Sequence, residues 1–244
     1  MQLRDRVALI TGASRGLGRE IARLYGRRGA RLVLVARGEP ALRKVAEDLS
    51  RMTEVLAVAA DVSEDAEGIV AASLERFGRI DVLINNASEL GPSPMPQLEA
   101  YPWDALLRVF RINAVAPLHL VQLVLPQMKA RGEGVIINVT SDAGVQAYPG
   151  WGGYGASKAA LEHLSRVLAA ELEGTGIRVY VVDPGDMNTQ MHRDAEPGVD
   201  LSHLPGPEIA APAFVRLVEE ETAAFGRFEA QKMLPTANPE AVTR

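Results

Sequence analysis

"RVALITGASRGLG", residues 6 to 18, decides the fold. A short apolar run ends at Thr11, and Gly12, Gly16 and Gly18 follow it, opening a segment of helical spacing from 16 to 29. Glycine permits the tight turn and close packing of a strand-to-helix junction, and the free amide groups of a helix's first turn suit a pyrophosphate. Spaced glycines alone mark many turns. Between a strand and a helix at the chain's start they point to a dinucleotide site, with Ser14, Arg15 and Leu17 among its contacts.

Working outward, short apolar runs recur at 6–11, 31–36, 54–60, 80–85, 134–141 and 177–183. They are continuous rather than alternating, as expected of strands covered on both faces. Segments of helical length separate them at 16–29, 39–52, 64–77, 102–130 and 154–174. This alternation predicts an α/β fold, a doubly wound parallel sheet with helices on both faces, as one domain over 1–244. One stretch breaks the regularity. Residues 185–207, "GDMNTQMHRDAEPGVDLSHLPGP", are polar and proline-bearing, and so long a loop reads as a lid, a binding loop or a mobile segment.

Composition bounds the function. A chain of 244 residues, 47% hydrophobic and 23% charged, buries a sizeable core. Its net charge of -5 and scattered arginines argue against nucleic acid as a partner. Cysteine is absent, which removes disulfides and thiolate chemistry and fits a reducing compartment. The run "AVAPLHLVQLVLP" (114–126) is broken by Pro117, His119 and Gln122, so no membrane span is expected and the location expected is cytoplasmic. The four histidines, His119, His163, His192 and His203, have no metal spacing, so no metal site is expected.

The end of the second strand is where an acidic residue would bond a free ribose 2'-hydroxyl. Here it reads Ala36-Arg37, and Arg15 in the glycine turn offers a second guanidinium. Two arginines pair with a phosphate, so NADP is the expected cofactor.

In "YGASK" (154–158), Tyr154 and Lys158 stand one helical turn apart on one face. Together with the glycine turn, "NNA" at 85–87, Asn113 in "RINAVAP" and Ser141 in "NVTSDAG", this set occurs in the order of the short-chain dehydrogenase/reductase family, which the sequence resembles from residue 6 to about 189. The resemblance implies a Rossmann-type fold and a catalytic set of Asn113, Ser141, Tyr154 and Lys158. It also implies cofactor contacts at Asp61 and Val62, at Asn86 and Ala87, at Tyr154 and Lys158, and at Pro184, Gly185 and Thr189. Two departures stand out. Ser88 replaces the glycine usual after "NNA", and the tail, about 231–244, differs from the family's usual ending. That ending accompanies the family's frequent tetramer, whereas a homodimer through the long helices holding Asn113 and Tyr154 does not need it.

A ketone receiving hydride needs a proton donor and a fixed dipole at its oxygen. Tyr154 is the expected donor, Ser141 the oxygen's partner, and the Lys158 ammonium is expected to lower the phenol's pKa from its free value of about 10. By resemblance Lys158 also contacts the nicotinamide ribose and Asn113 organises a water relay. Tyr148, Trp151, Met187 and Met191 are the expected substrate pocket, favouring apolar or aromatic ketones. The function expected is therefore an NADP(H)-dependent carbonyl reductase or alcohol dehydrogenase of small molecules. The alternatives are a 3-oxoacyl carrier-protein reductase, which would want a more basic site mouth than His192, Arg193 and His203 provide, and a non-catalytic dinucleotide-binding regulatory protein.

Overall fold

The six apolar runs and a seventh segment near the carboxyl end form one parallel sheet in the computed structural model, which describes residues 1–233. The strands are Val7–Thr11 (β1), Arg31–Ala36 (β2), Val55–Ala59 (β3), Val82–Asn85 (β4), Gly134–Val139 (β5), Ile177–Asp183 (β6) and Phe225–Glu229 (β7). Their spatial order is β3-β2-β1-β4-β5-β6-β7, every neighbouring pair being parallel. The chain thus winds outward one way from β1 and then the other from β4.

Why the runs are continuous is now visible. Ala8, Ile10, Leu32, Leu34, Ile84 and Val182 face a core closed by the helices Gly16–Arg27 (α1), Glu39–Leu49 (α2) and, late in the chain, Ala211–Glu219. The intervening residues Val7, Leu9, Val33, Val35, Leu83 and Val179 face a second core under Ala66–Phe77 (α3), Ala116–Arg131 and Gly152–Glu171. Both faces are dry, so alternation has nothing to report. Asp65 caps α3 by accepting from the Gly68 amide at 3.1 Å, and Gly78, left-handed at φ 72°, ends it.

The segment expected as one helix over 102–130 is divided. Trp103–Phe110 (α4) and Ala116–Arg131 (α5) are joined by a π-helical turn, Arg111–Val115, with Asn113 at its centre. Pro117 has no amide hydrogen to offer the Asn113 carbonyl four residues earlier, so the α-helical ladder has a missing rung there. Among the described residues, Trp103–Arg131 is also the stretch long and apolar enough to cross a membrane; half of its most apolar window is buried in the protein interior, as in a core helix. Gly152–Glu171 is α6. The expected loop 185–207 contains a short helix, Gln190–Ala195 (α7), capped by Thr189 accepting from the His192 amide at 3.3 Å, and the helix Ala211–Glu219 is α8. Loop polarity concealed that turn because its buried anchors, Ala195 and Leu201, are few. Of the tail expected to be atypical, residues 231–233 form a tight helical turn with Ala230, and those from 234 on lie outside the described residues.

Asp81 pins the amino end of the sheet. Fully buried, it accepts from the Val7 amide and from Arg79 Nε, each at 2.9 Å, with Arg6 and Arg131 within 4 Å. It therefore ties β1 to β4 and α5. Asp81→Ala should lower stability by about 2–3 kcal/mol, less than a fully buried pair because the guanidiniums remain partly hydrated. A fall in urea midpoint at unchanged m-value checks this.

Candidate active site

Where the winding reverses, the loops after β1 and β4 diverge and leave a crevice at the carboxyl ends of the strands. Two side chains stitch its floor. Thr11 Oγ1 donates to the Ile84 carbonyl (3.2 Å) and accepts from the amides of Asn86 (2.9 Å) and Ala87 (3.0 Å). Asn86 Nδ2 returns a bond to the Thr11 carbonyl at 2.8 Å. The glycines fit against this stitch: a Cβ on Gly12 would come 2.7 Å from Asn86 Nδ2, and one on Gly18 would come 2.5 Å from the Gly12 carbonyl oxygen. Asn86, expected beside a cofactor, does line the crevice, but its amide donors are spent on the turn.

The crevice is a cleft of about 980 Å³. Gly12, Ser14, Arg15, Gly16 and Leu17 line one end with Arg37, Asp61 and Val62, while Ser141, Tyr154, Lys158, Trp151, Pro184 and Gly185 line the other. Gly18 lies beneath the glycine turn and Ala87 on the cleft wall. Thr189 closes over Gly16, its methyl 3.9 Å from where a Cβ would stand. Met187 and Met191 line the cleft from the segment containing α7, and Ser93 reaches across to donate to the Asp194 carbonyl. Gln231 holds that segment's base, donating to the carbonyls of Pro184 (3.1 Å) and Asp186 (3.0 Å).

At the Arg37 end the guanidinium is shared. It stands 3.7 Å from Asp61 and 3.5 Å from Glu89, and Glu89 also accepts from Arg108 at 3.1 Å. Against the cost of partial burial, the Ser63 amide and hydroxyl together with Arg37 hold the Asp61 carboxyl below its ordinary range. No acid follows β2, yet the fold brings Glu89 to Arg37 from the loop after β4.

At the other end, α6 starts at Gly152 and sets Tyr154 and Lys158 on its inner face, with Lys158 Nζ 5.4 Å from the Tyr154 ring centre. The Trp151 ring meets Tyr154 edge-on at 5.9 Å. Ser141 Oγ donates to Asp142 Oδ1 at 3.0 Å. The Asn113 side chain, 1% exposed, uses every bond it has: Nδ2 donates to the Glu89 carbonyl (2.8 Å) and Ser157 Oγ (2.9 Å), and Oδ1 accepts from the Glu89 amide (2.7 Å) and Ser88 Oγ (3.1 Å). Its side-chain amide positions the loop after β4.

Two expectations change. Tyr148 does not line the cleft; it is 40% exposed, donating to Asp142 Oδ2 at 2.7 Å from behind Trp151. Lys158 is not among the main influences on the Tyr154 phenol. Burial pushes the amine down to about 7, so near neutrality it is only partly charged, and it donates to the Val139 carbonyl at 2.9 Å. Burial raises the Tyr154 phenol well above its ordinary value, Asp183 and Asp142 act the same way, and the Ser88 and Ser141 hydroxyls pull against them. Ser88, Glu89, Asp142 and Gln231 are the site residues that reading by sequence missed; Ser88 alone had a signal, as the departure from "NNA"-glycine.

The family model described as short chain dehydrogenase matches residues 6–200. The chain belongs to the short chain dehydrogenase family. It is an oxidoreductase of that fold, with 32% identity over 227 residues to the oxidoreductase YciK of Escherichia coli, covering 90% of this chain and 88% of that one. The solved structure of YciK superposes with a TM-score of 0.84, 30% identity and coverage of 94% and 96%. The 2-(R)-hydroxypropyl-CoM dehydrogenase of Xanthobacter autotrophicus is 37% identical over 191 residues, 77% of this chain and 76% of its own. A metagenomic short-chain oxidoreductase solved in complex with NADP is 30% identical with a TM-score of 0.79, covering 94% of this dehydrogenase and 99% of that chain.

The depressed Lys158 has a stability signature. Its folded pKa of about 7 lies below its ordinary value of 10.5, so between these pH values the unfolded chain holds the extra proton and stability rises with pH. The cofactor-free protein should gain urea resistance between about pH 7 and about pH 9.5 relative to Lys158→Met, which lacks the buried amine. Parallel unfolding curves for the two proteins across that range would contradict it.

Proposed function

We propose that this dehydrogenase interconverts a ketone or aldehyde and an alcohol with NADP(H), in the manner of a carbonyl reductase, Tyr154 serving as acid and base. The observation that carries the reading is that the Tyr154 phenol and the Ser141 hydroxyl line the same part of the cleft, where both would face a carbonyl oxygen once Ser141 turns its hydrogen from Asp142. Bound along the cleft, NADP(H) supplies or takes the hydride. The residues present fit that group: a glycine turn closed to any Cβ at Gly12 and Gly18, free amides at the start of α1, and Arg15 and Arg37 at the ribose end. The NADP bound by the metagenomic relative favours the same cofactor.

In reduction Tyr154 gives its proton to the oxygen that receives charge, and Ser141 holds that oxygen in place. Lys158, on the inner face of α6, would hold the nicotinamide ribose, and the Asn113 carbonyl would hold a water leading protons away. Asp61, Val62, Ala87, Pro184, Gly185 and Thr189 complete the cofactor's contacts. Trp151, Met187 and Met191 favour an apolar or aromatic substrate. The carrier-protein alternative draws less support, because Arg193 is engaged by Asn188 and Gln190 and the mouth carries Asp142, Asp186 and Asp194.

A homodimer is the assembly we favour, with a tetramer built on it. Trp103, Leu107 and Val115 expose apolar side chains along the outer face of α4 and the turn after it. The lack of cysteine and the small-molecule chemistry fit the cytoplasm.

Tyr154→Phe should abolish turnover of a ketone panel while NADPH affinity, measured by fluorescence titration, stays within about threefold, since only the proton is lost. Arg37→Asp should weaken NADPH by about ten- to a hundredfold, the worth of one charge-assisted contact of ~1.5–3 kcal/mol, and shift preference to NADH. Wild-type protein binding NADH as tightly as NADPH would refute the cofactor assignment.

A further inference from the structure

Arg37, the guanidinium assigned to the ribose phosphate, already has acids beside it. Its Nη1 stands 3.5 Å from Glu89 Oε2 and 3.7 Å from Asp61 Oδ2, ion pairs longer than a hydrogen bond. The two acids are placed differently. Asp61 Oδ1 accepts from the Ser63 amide (2.9 Å) and hydroxyl (2.8 Å), which fix that carboxylate within its own turn. Glu89 comes from the loop after β4, whereas Arg37 follows β2, and β1 with its glycine turn lies between those strands. The Arg37–Glu89 pair therefore joins the loops of two strands that are not neighbours, and both residues line the cleft.

Three features suit Glu89 to compete with a phosphate for Arg37. Its backbone is fixed, the amide donating to Asn113 Oδ1 at 2.7 Å and the carbonyl accepting from Asn113 Nδ2 at 2.8 Å, so the carboxylate stays where it is. Its side chain is 22% exposed, so water screens the charge only in part. Its other oxygen, Oε1, accepts from Arg108 Nε at 3.1 Å, so the carboxylate keeps a cation when Arg37 turns away. A phosphate offers a guanidinium shorter and bidentate bonds, and Arg37 can therefore change partners. Glu89 then remains as a negative charge close to the phosphate that Arg37 has received.

We propose that Glu89 is a cofactor-specificity residue: its carboxylate competes with the 2'-phosphate of NADP(H) for Arg37, weakening the phosphorylated cofactor and leaving NAD(H), which brings no charge to Arg37, less affected. The inference rests on the reading of Arg37 as the phosphate's partner. Arg108 belongs to the same device. By holding Oε1 it offsets the charge that Glu89 presents to Arg37, and so favours the phosphate through Glu89.

Calorimetric titration with adenosine 2',5'-bisphosphate and with 5'-AMP, which differ by the 2'-phosphate alone, tests this without turnover. Glu89→Gln keeps the side chain's size and both backbone bonds; it should tighten the bisphosphate about three- to tenfold and 5'-AMP less than about twofold. Arg108→Gln should weaken the bisphosphate by about two- to threefold, and the double variant should match Glu89→Gln alone, because Arg108 acts through Glu89. The gain in Glu89→Gln should shrink in about 0.5 M salt. Fluorescence titration with NADPH and NADH should show their affinity ratio moving by the same factor, with the melting temperature nearly unchanged. A Glu89→Gln protein that binds both nucleotides in the wild-type ratio, or that loses affinity for the bisphosphate, overturns the inference. Arg37→Ala separates the two readings. If the bisphosphate keeps its advantage over 5'-AMP in Arg37→Ala, the assignment of Arg37 fails and the role of Glu89 with it. If Arg37→Ala abolishes that advantage while Glu89→Gln leaves it unchanged, only Glu89 is overturned.

Discussion

The stitch between Thr11 and Asn86 holds together the two loops on which everything functional is built. Strands β1 and β4 are neighbours, but their connections leave in opposite directions, and nothing in a parallel ladder joins the chain beyond the last paired residue. Thr11 Oγ1 and Asn86 Nδ2 supply that closure with bonds of 2.8–3.2 Å. Gly12 and Gly18 are then required by distance, since no side chain fits between the turn and Asn86. The cleft's depth follows from this contact, and so does the aim of the first amides of α1.

At the far end of the cleft the governing term is burial. Tyr154 and Lys158 are both shut away from water, which favours the neutral form of each and moves their pKa values apart, the phenol upward and the amine downward. Two aspartates reinforce the phenol's shift. The hydroxyls of Ser88 and Ser141 pull against it.

Much of the fold was legible because continuous apolar runs and glycine turns are local signals. All six strands marked in the sequence form at their places, and the seventh falls within a residue of "GRFEA". The division of the helix at Asn113 was less legible, although Pro117 announces it to a reader who asks which carbonyl it leaves without a donor. Tyr148 was misplaced for a different reason. Its distance from Tyr154 along the chain is short, but it stands 40% exposed, with its hydroxyl spent on Asp142 at the cleft's mouth.

The sequence by itself determined the family and the doubly wound sheet, because residue type, spacing and periodicity carry those directly. Only the tertiary structure decided the electrostatics of the site. Glu89 faces Arg37 from another strand's loop, Asp183 and Asp142 raise the Tyr154 phenol from two strands' ends, and Ser88 bonds Asn113. Each pairing links positions far apart in the chain, and the charge of Lys158 depends on how completely the sheet and α6 enclose it. Burial and through-space distance set these energies, and neither is written in the local order of residues.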